Sequence, residues 1–137
     1  MASEMVHVAA AVLVRGEAML VARRVVGAHL AGTWEFPGGK IESEETPANA
    51  VRREVREEVG LEFEHAEELV AYEHAYDDRT VRLTFFLCSG VAGIARGREG
   101  QELRWVDLQE LESLPTPPAN APVLAELRRR LNRRGES

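Results

Sequence analysis

The sequence predicts a single α+β domain in which helices pack on a mixed β-sheet, and three observations carry that expectation. Apolar β-rich runs and helical stretches follow one another without the regular strand–helix alternation of a parallel βαβ protein. One segment, 47–59, combines helical periodicity with matching start and stop signals. The chain has 137 residues, 45% of them hydrophobic, which suffices for one core and calls for no second domain, so 1–137 is read as one unit.

Along the chain, "VHVAAAVLV" (6–14) is a β-rich apolar run, "RGE" reads as a turn, and "AMLVARR" (18–24) supplies a second strand. "GAHLAGTWEFPGGK" (27–40), punctuated by Gly and Pro, reads as a loop. Thr46 before Pro47 forms an N-cap and N1 pair, and Gly60 suits a C-cap, so a helix is expected over 47–59. Ala48, Val51, Val55 and Val59 form its apolar stripe, with glutamates beside it at the edge of a cleft. Strands are expected at 67–76, 81–88 and 102–107, then a short helical turn over 108–114. "PTPPAN" (115–120) reads as a rigid loop. The last helix is expected over 121–133, with Leu124, Leu127 and Leu131 at helical spacing among arginines that suit its solvent face and C-terminal dipole.

Composition removes several classes of function. A net charge of −6 argues against nonspecific duplex binding, which runs on phosphate neutralisation by Lys and Arg. No apolar stretch reaches the length of a membrane span, and the N-terminal residues lack the features of a secretory signal. The single Cys88 lies in an apolar run and reads as a buried strand residue in a reducing compartment. A soluble cytoplasmic protein is expected, without membrane or direct nucleic-acid partners and as a monomer.

The stretch "REVREEVG" (53–60) breaks local rules. Glu54, Glu57 and Glu58 fall at i, i+3 and i+4, on one helical face and near the end where the dipole prefers cations. Like charges 4 Å apart repel by on the order of 4 kcal/mol at an effective dielectric near 20. Arg53 can offset one of them, and a hard divalent ion with oxygen ligands could offset the rest. The alternative, a solvated acidic face, stays open on these residues alone.

From Gly39 the chain reads G-x5-E-x7-R-E-V-x-E-E-x-G-L, with Glu45, Arg53, Glu54, Val55, Glu57, Glu58, Gly60 and Leu61 in place. This pattern resembles the Nudix box, the signature of hydrolases acting on nucleoside diphosphates linked to another group. The resemblance implies an α/β/α sandwich with a mixed sheet between helices. It also implies one or more Mg²⁺ ions, with Mn²⁺ as a substitute, on Glu54, Glu57, Glu58 and the backbone carbonyl of Gly38. Arg53 and Glu45 would orient the acids, and Glu54 would be the general base. Glu99, in "GREGQE" (97–102), is a further acid of the kind the family often supplies from a later loop, for catalysis and metal binding, or else an ordinary loop charge.

Further stretches, "YDDRTVRL" (76–83), "GREGQELRWVDL" (97–108) and "PPANAPVLAELRR" (117–129), are similar to the MutT-type 8-oxo-dGTP diphosphatases of that family. The similarity implies a nucleoside triphosphate as the small-molecule substrate and Asn120 as the reader of the purine edge, though Asn120 could equally cap the last helix. Arg24, His29, Glu35 and Phe36 would line the nucleotide site with Gly38, Lys40 would reach phosphate, and Tyr76 and Val81 would wall the base. Phe36 and Val81 have a plain reading as core, and Arg24 and His29 as loop surface. Trp34 departs from this branch and is similar to the CTP and 5-methyl-dCTP pyrophosphohydrolases, which form the alternative. A third expectation, from another class, is a non-catalytic nucleotide-binding module of the same fold.

Overall fold

The computed structural model describes residues 5–136, with side-chain surroundings through 131; residues 1–4 and the side chains of Arg133 and Arg134, to which the sequence reading assigns roles, lie outside the described residues. Strand β1 (Met5–Arg15) is the axis of the fold. It pairs antiparallel with β2 (Ala18–Arg23) and β4 (Gly38–Lys40), and parallel with β6 (Thr80–Ser89). β6 in turn pairs antiparallel with β5 (His65–Ala75), while β3 (Trp34–Glu35) and β7 (Leu103–Val106) flank β2. The result is one seven-stranded mixed sheet with the path β3-β2-β1-β6-β5.

Why the apolar run of β1 is continuous and not alternating follows from its position: helices cover both faces of the sheet. Ala9, Ala11 and Leu13 face α1 (Pro47–Val59) and meet Val51, Val55, Val59 and Leu61. Ala10 and Val12 face the opposite layer, where Val123 and Leu127 of α3 (Ala121–Glu136) and Leu108 and Leu111 of α2 (Leu108–Ser113) pack with Phe85 and Val106. The two-residue period of the strand thus builds two cores and an α/β/α sandwich.

Three expectations need correction. Residues 27–40 are not wholly loop, since Trp34–Glu35 and Gly38–Lys40 are strands. Gly38 is compatible with pairing because it has no side chain: a Cβ there would lie 2.3 Å from the Ala9 carbonyl oxygen and 2.6 Å from Ala10 Cα. "PTPPAN" is not uniformly loop either, because Pro118–Asn120 is a 3₁₀ turn running into α3. The buried stripe of α3 is centred on Val123 and Leu127, with Leu124 partly buried, while Leu131 is exposed. Cys88 is fully buried, and burial pushes its thiol up to about 12.

Candidate active site

Helix α1 begins where Thr46, in extended conformation, accepts the Asn49 N–H on its hydroxyl, and it ends at Gly60 in the left-handed region, whose N–H reaches the Val55 and Arg56 carbonyls. Ala50, Val51, Val55 and Val59 are buried against β1, which fixes the rotation of the helix. That rotation turns the glutamates toward the edge of the sheet at β4.

Arg53 organises one part of this edge. Its guanidinium donates to both carboxylate oxygens of Glu45 (2.7 and 3.0 Å), to Glu54 (2.9 Å), to Glu57 (3.2 Å) and to the Lys40 carbonyl (3.1 Å). The Glu45 pair is bidentate, the strongest geometry available to these groups. Arg53 accordingly holds the Glu45 carboxyl down to about 2, and is itself held more firmly charged.

Glu58 has different surroundings. Its carboxylate accepts the Gly38 N–H at 3.0 Å, and among the described residues it has no salt-bridge partner. Burial, with the charges of Glu54 and then Glu99 added, raises its pKa to about 8, only partly offset by the Gly38 hydrogen bond. Glu99 arrives from the loop between β6 and β7, and this loop is strapped to the C-terminus of α1. The Val59 carbonyl accepts the Arg96 N–H, and the Glu58 carbonyl accepts both the Arg98 N–H and the Gln101 side-chain amide. The Gln101 side-chain oxygen accepts the Glu99 N–H at 2.9 Å, so one amide bridges the two acid-bearing segments.

Gly39 lies against the same carboxylates: a Cβ there would fall 2.5 Å from Glu54 Cδ. Glycine at 38 and 39 thus lets the backbone lie against β1 and the Glu54 carboxylate. Among the described residues no three acidic, imidazole or thiol groups close around one point as a finished cation cage. The donors fit a hard divalent cation nonetheless. They are carboxylates, one of them with its pKa raised by burial and by neighbouring acids, and Mg²⁺ is commonly held by one or two carboxylates, with water and substrate phosphates completing the sphere.

Beside this edge opens a cavity of about 590 Å³. Gly38, Gly39 and Lys40 form the side next to the glutamates; Arg24, His29, Glu35, Phe36, Tyr76, Val81 and Asn120 line the remainder. The fold thus brings together every residue that the sequence assigns to the nucleotide, on segments spread from 24 to 120. Arg24 donates to Glu35 (2.9 Å) and to the His29 carbonyl (3.1 Å), tying the loop to β3. Burial raises the Glu35 pKa in spite of Arg24. Phe36 and Val81 are both core and cavity wall.

Asn120 is only 8% exposed, faces the cavity, and makes no side-chain hydrogen bond to any described residue. The helix-capping alternative therefore has no bond behind it. Asp77, Asp78 and Arg79, at the β5–β6 turn, also line the cavity; they lie within the "YDDRTVRL" stretch, but the sequence reading gives them no role. Trp34 does not line it. The indole is buried in the core, with the guanidinium carbons of Arg104 and Arg23 at 4.9 and 5.9 Å from its ring centre.

Comparison with known proteins bears on these features. A model of the NUDIX domain family matches residues 8–126. The 8-oxo-dGTP diphosphatase of Escherichia coli K12 is 43% identical over 111 residues, 81% of this chain and 86% of that protein. The CTP pyrophosphohydrolase of the same organism is 33% identical over 121 residues, 88% of this chain and 90% of that protein. Among solved structures, the MutT NUDIX hydrolase from Burkholderia pseudomallei superposes with a TM-score of 0.82 at 29% identity, covering 90% of this chain and 98% of that one.

Proposed function

The chain belongs to the Nudix hydrolases, and on that premise we propose that it is a nucleoside triphosphate pyrophosphohydrolase, dependent on Mg²⁺ with Mn²⁺ as a substitute, that converts 8-oxo-dGTP and water to 8-oxo-dGMP and pyrophosphate. The observation that carries the base is Asn120, only 8% exposed and without a side-chain hydrogen bond to any described residue, which lines a cavity with the glutamate edge at its other end. Oxidation at C8 puts a hydrogen on N7. The Asn120 carbonyl accepts from N7–H while its NH₂ donates to O6, whereas guanine presents a lone pair at N7 and leaves that carbonyl unpaired. A mispaired buried group costs about 1 to 3 kcal/mol, which gives useful but incomplete discrimination, so the remaining walls must contribute.

In this reading Lys40 meets the phosphates, while Arg24, His29, Glu35, Phe36, Tyr76 and Val81 enclose the nucleoside. Glu54, Glu57, Glu58, Glu99 and the Gly38 carbonyl would hold the divalent cation, which would neutralise phosphate charge and lower the pKa of the attacking water. Water forms the new bond to phosphorus as the bond to the leaving group breaks, and Glu54 takes the proton. Arg53, locked by Glu45, holds Glu54 and Glu57 in place for this step. The protein acts as a monomer on free nucleotides in the cytoplasm, clearing an oxidised precursor before DNA replication can use it.

A second reading, a CTP or 5-methyl-dCTP pyrophosphohydrolase, is favoured by the relative of that activity at 33% identity. Trp34, which suggested it from sequence, lends it no contact with the cavity. Pyrophosphate release from 8-oxo-dGTP, dGTP, CTP and 5-methyl-dCTP, with and without Mg²⁺, separates the two by kcat/KM. The 8-oxo-dGTP value should exceed the others by at least about tenfold, and a cytosine preference would replace the first reading with the second.

A further inference from the structure

The stretch "PTPPAN" has few backbone donors, because Pro115, Pro117 and Pro118 lack N–H groups. A segment of this kind is held chiefly through its carbonyls, by donors from elsewhere. Two donors come from the sheet. The Trp34 N–H reaches the Pro115 carbonyl at 2.8 Å, and the Tyr72 hydroxyl on β5 donates to the Ala119 carbonyl at 2.7 Å. A third bond is internal, from the Asn120 N–H to the Pro117 carbonyl at 2.9 Å.

Tyr72 does not line the cavity. Its ring stacks on Phe85, with centres 5.8 Å apart and planes 16° from parallel, and Phe85 meets Phe36 edge-on at 6.0 Å. Phe85, Phe36 and Ala119 all line the cavity. The hydroxyl thus sits at the end of a stiff aromatic stack and grips the peptide that joins Ala119 to Asn120. Burial raises the phenol to about 12, so it remains a donor at any ordinary assay pH.

We propose that Tyr72 is a positioning residue for base selection: its hydroxyl, through the Ala119 carbonyl, sets where the Asn120 amide stands in the cavity. The proposal rests on the reading of Asn120 as the base-contacting group. The hydroxyl is one of the donors that hold this turn, so its removal frees the Ala119 carbonyl and leaves the residues that line the cavity in place.

The test is a double-mutant cycle of Tyr72→Phe and Asn120→Ala, read as kcat/KM for 8-oxo-dGTP, dGTP, CTP and 5-methyl-dCTP. Phe keeps the aromatic stack, and a thermal melt checks that the fold is kept. Tyr72→Phe should lower whichever base ratio Asn120→Ala lowers, by about three- to tenfold, with kcat on the poorest substrate unchanged. In the Asn120→Ala background it should change that ratio no further. If Asn120→Ala leaves every ratio intact, the reading of Asn120 fails and the proposal falls with it. If Asn120→Ala acts but Tyr72→Phe does not, or acts in full without Asn120, the role of Tyr72 alone is overturned.

Discussion

Two halves of one acidic cluster are treated oppositely by the chain. Around Arg53, the carboxylates of Glu45, Glu54 and Glu57 share one guanidinium in close hydrogen bonds, which fixes their positions and offsets one of their charges, and Glu45 stays ionised far into acid. At Glu58 and Glu99 the protein supplies backbone amides and a glutamine but, among the described residues, no salt-bridge partner, and Glu58 keeps a proton to about pH 8. In the first half the Glu45–Arg53 pair is complete on folding and holds Glu54 and Glu57 in place. The second is left with negative charge that only an outside cation can offset, so the two halves differ in how much of their charge the protein itself balances.

The largest expected effect follows from exchanging charge for an amide in each half. Glu58→Gln keeps an acceptor for the Gly38 N–H while removing a repelled carboxylate. It should reduce turnover by at least about a hundredfold, as expected when several kcal/mol of charge stabilisation are withdrawn, without lowering the melting temperature of the metal-free protein. Glu45→Gln breaks a bidentate pair and should do the reverse, lowering Tm with a smaller loss of turnover. Pyrophosphate release and thermal melts on the two variants decide it, and a Tm loss in Glu58→Gln as large as that in Glu45→Gln would break the comparison.

A smaller effect concerns how the second half is held. Gln101→Met has similar bulk but severs both bonds of the amide, to the Glu58 carbonyl and the Glu99 N–H. We expect kcat to drop by about tenfold with KM for the nucleotide little changed, and no further loss when the change is made in a Glu99→Gln background. Additive losses would mean that the bridge serves the fold and not Glu99.

The same division explains how much could be read from the sequence. The α1 segment was legible because its signals are local: Thr46 and Pro47 start it, Gly60 ends it, and the apolar and acidic stripes repeat within three turns. Arg53 finds Glu54 and Glu57 within four residues and Glu45 within eight, so the neutralised half is nearly contiguous. The Gln101 bridge spans 43 residues, the Tyr72 bond 47, and no periodicity marks either partner. Strand β4 was hidden for another reason. "FPGGK" carries the composition of a turn, yet glycine is what lets Gly38 approach the β1 backbone. Trp34, similar to the cytosine-nucleotide branch in sequence, is turned into the core by β3, so its place in the fold was not legible from the loop-like composition around it.

The smallest expected effect is on stability against pH, and it sharpens the contrast most directly. In the folded chain Glu58 titrates near 8; unfolded, it returns to the ordinary carboxylate value of 4.5. Below that value both states hold the proton and the group is neutral in its effect. Between about 4.5 and 8 the folded state binds more protons than the unfolded one, so stability falls as pH rises, and above 8 the loss is complete. Glu45 behaves oppositely: its pKa is depressed, so its contribution is present above 4.5 and lost only as pH falls toward about 2. From pH 5 to pH 8, therefore, the metal-free wild type should lose melting temperature relative to Glu58→Gln, on the order of a few degrees, while Glu45→Gln shows no such relative gain. Added Mg²⁺ should restore the wild type at pH 8 and leave Glu58→Gln less affected, because the cation offsets the charge of the deprotonated Glu58 carboxylate and the amide carries none. Parallel melting curves for wild type and Glu58→Gln across that range would mean that solvent already relieves the Glu58 charge, and that the two halves of the cluster differ in geometry but not in energy.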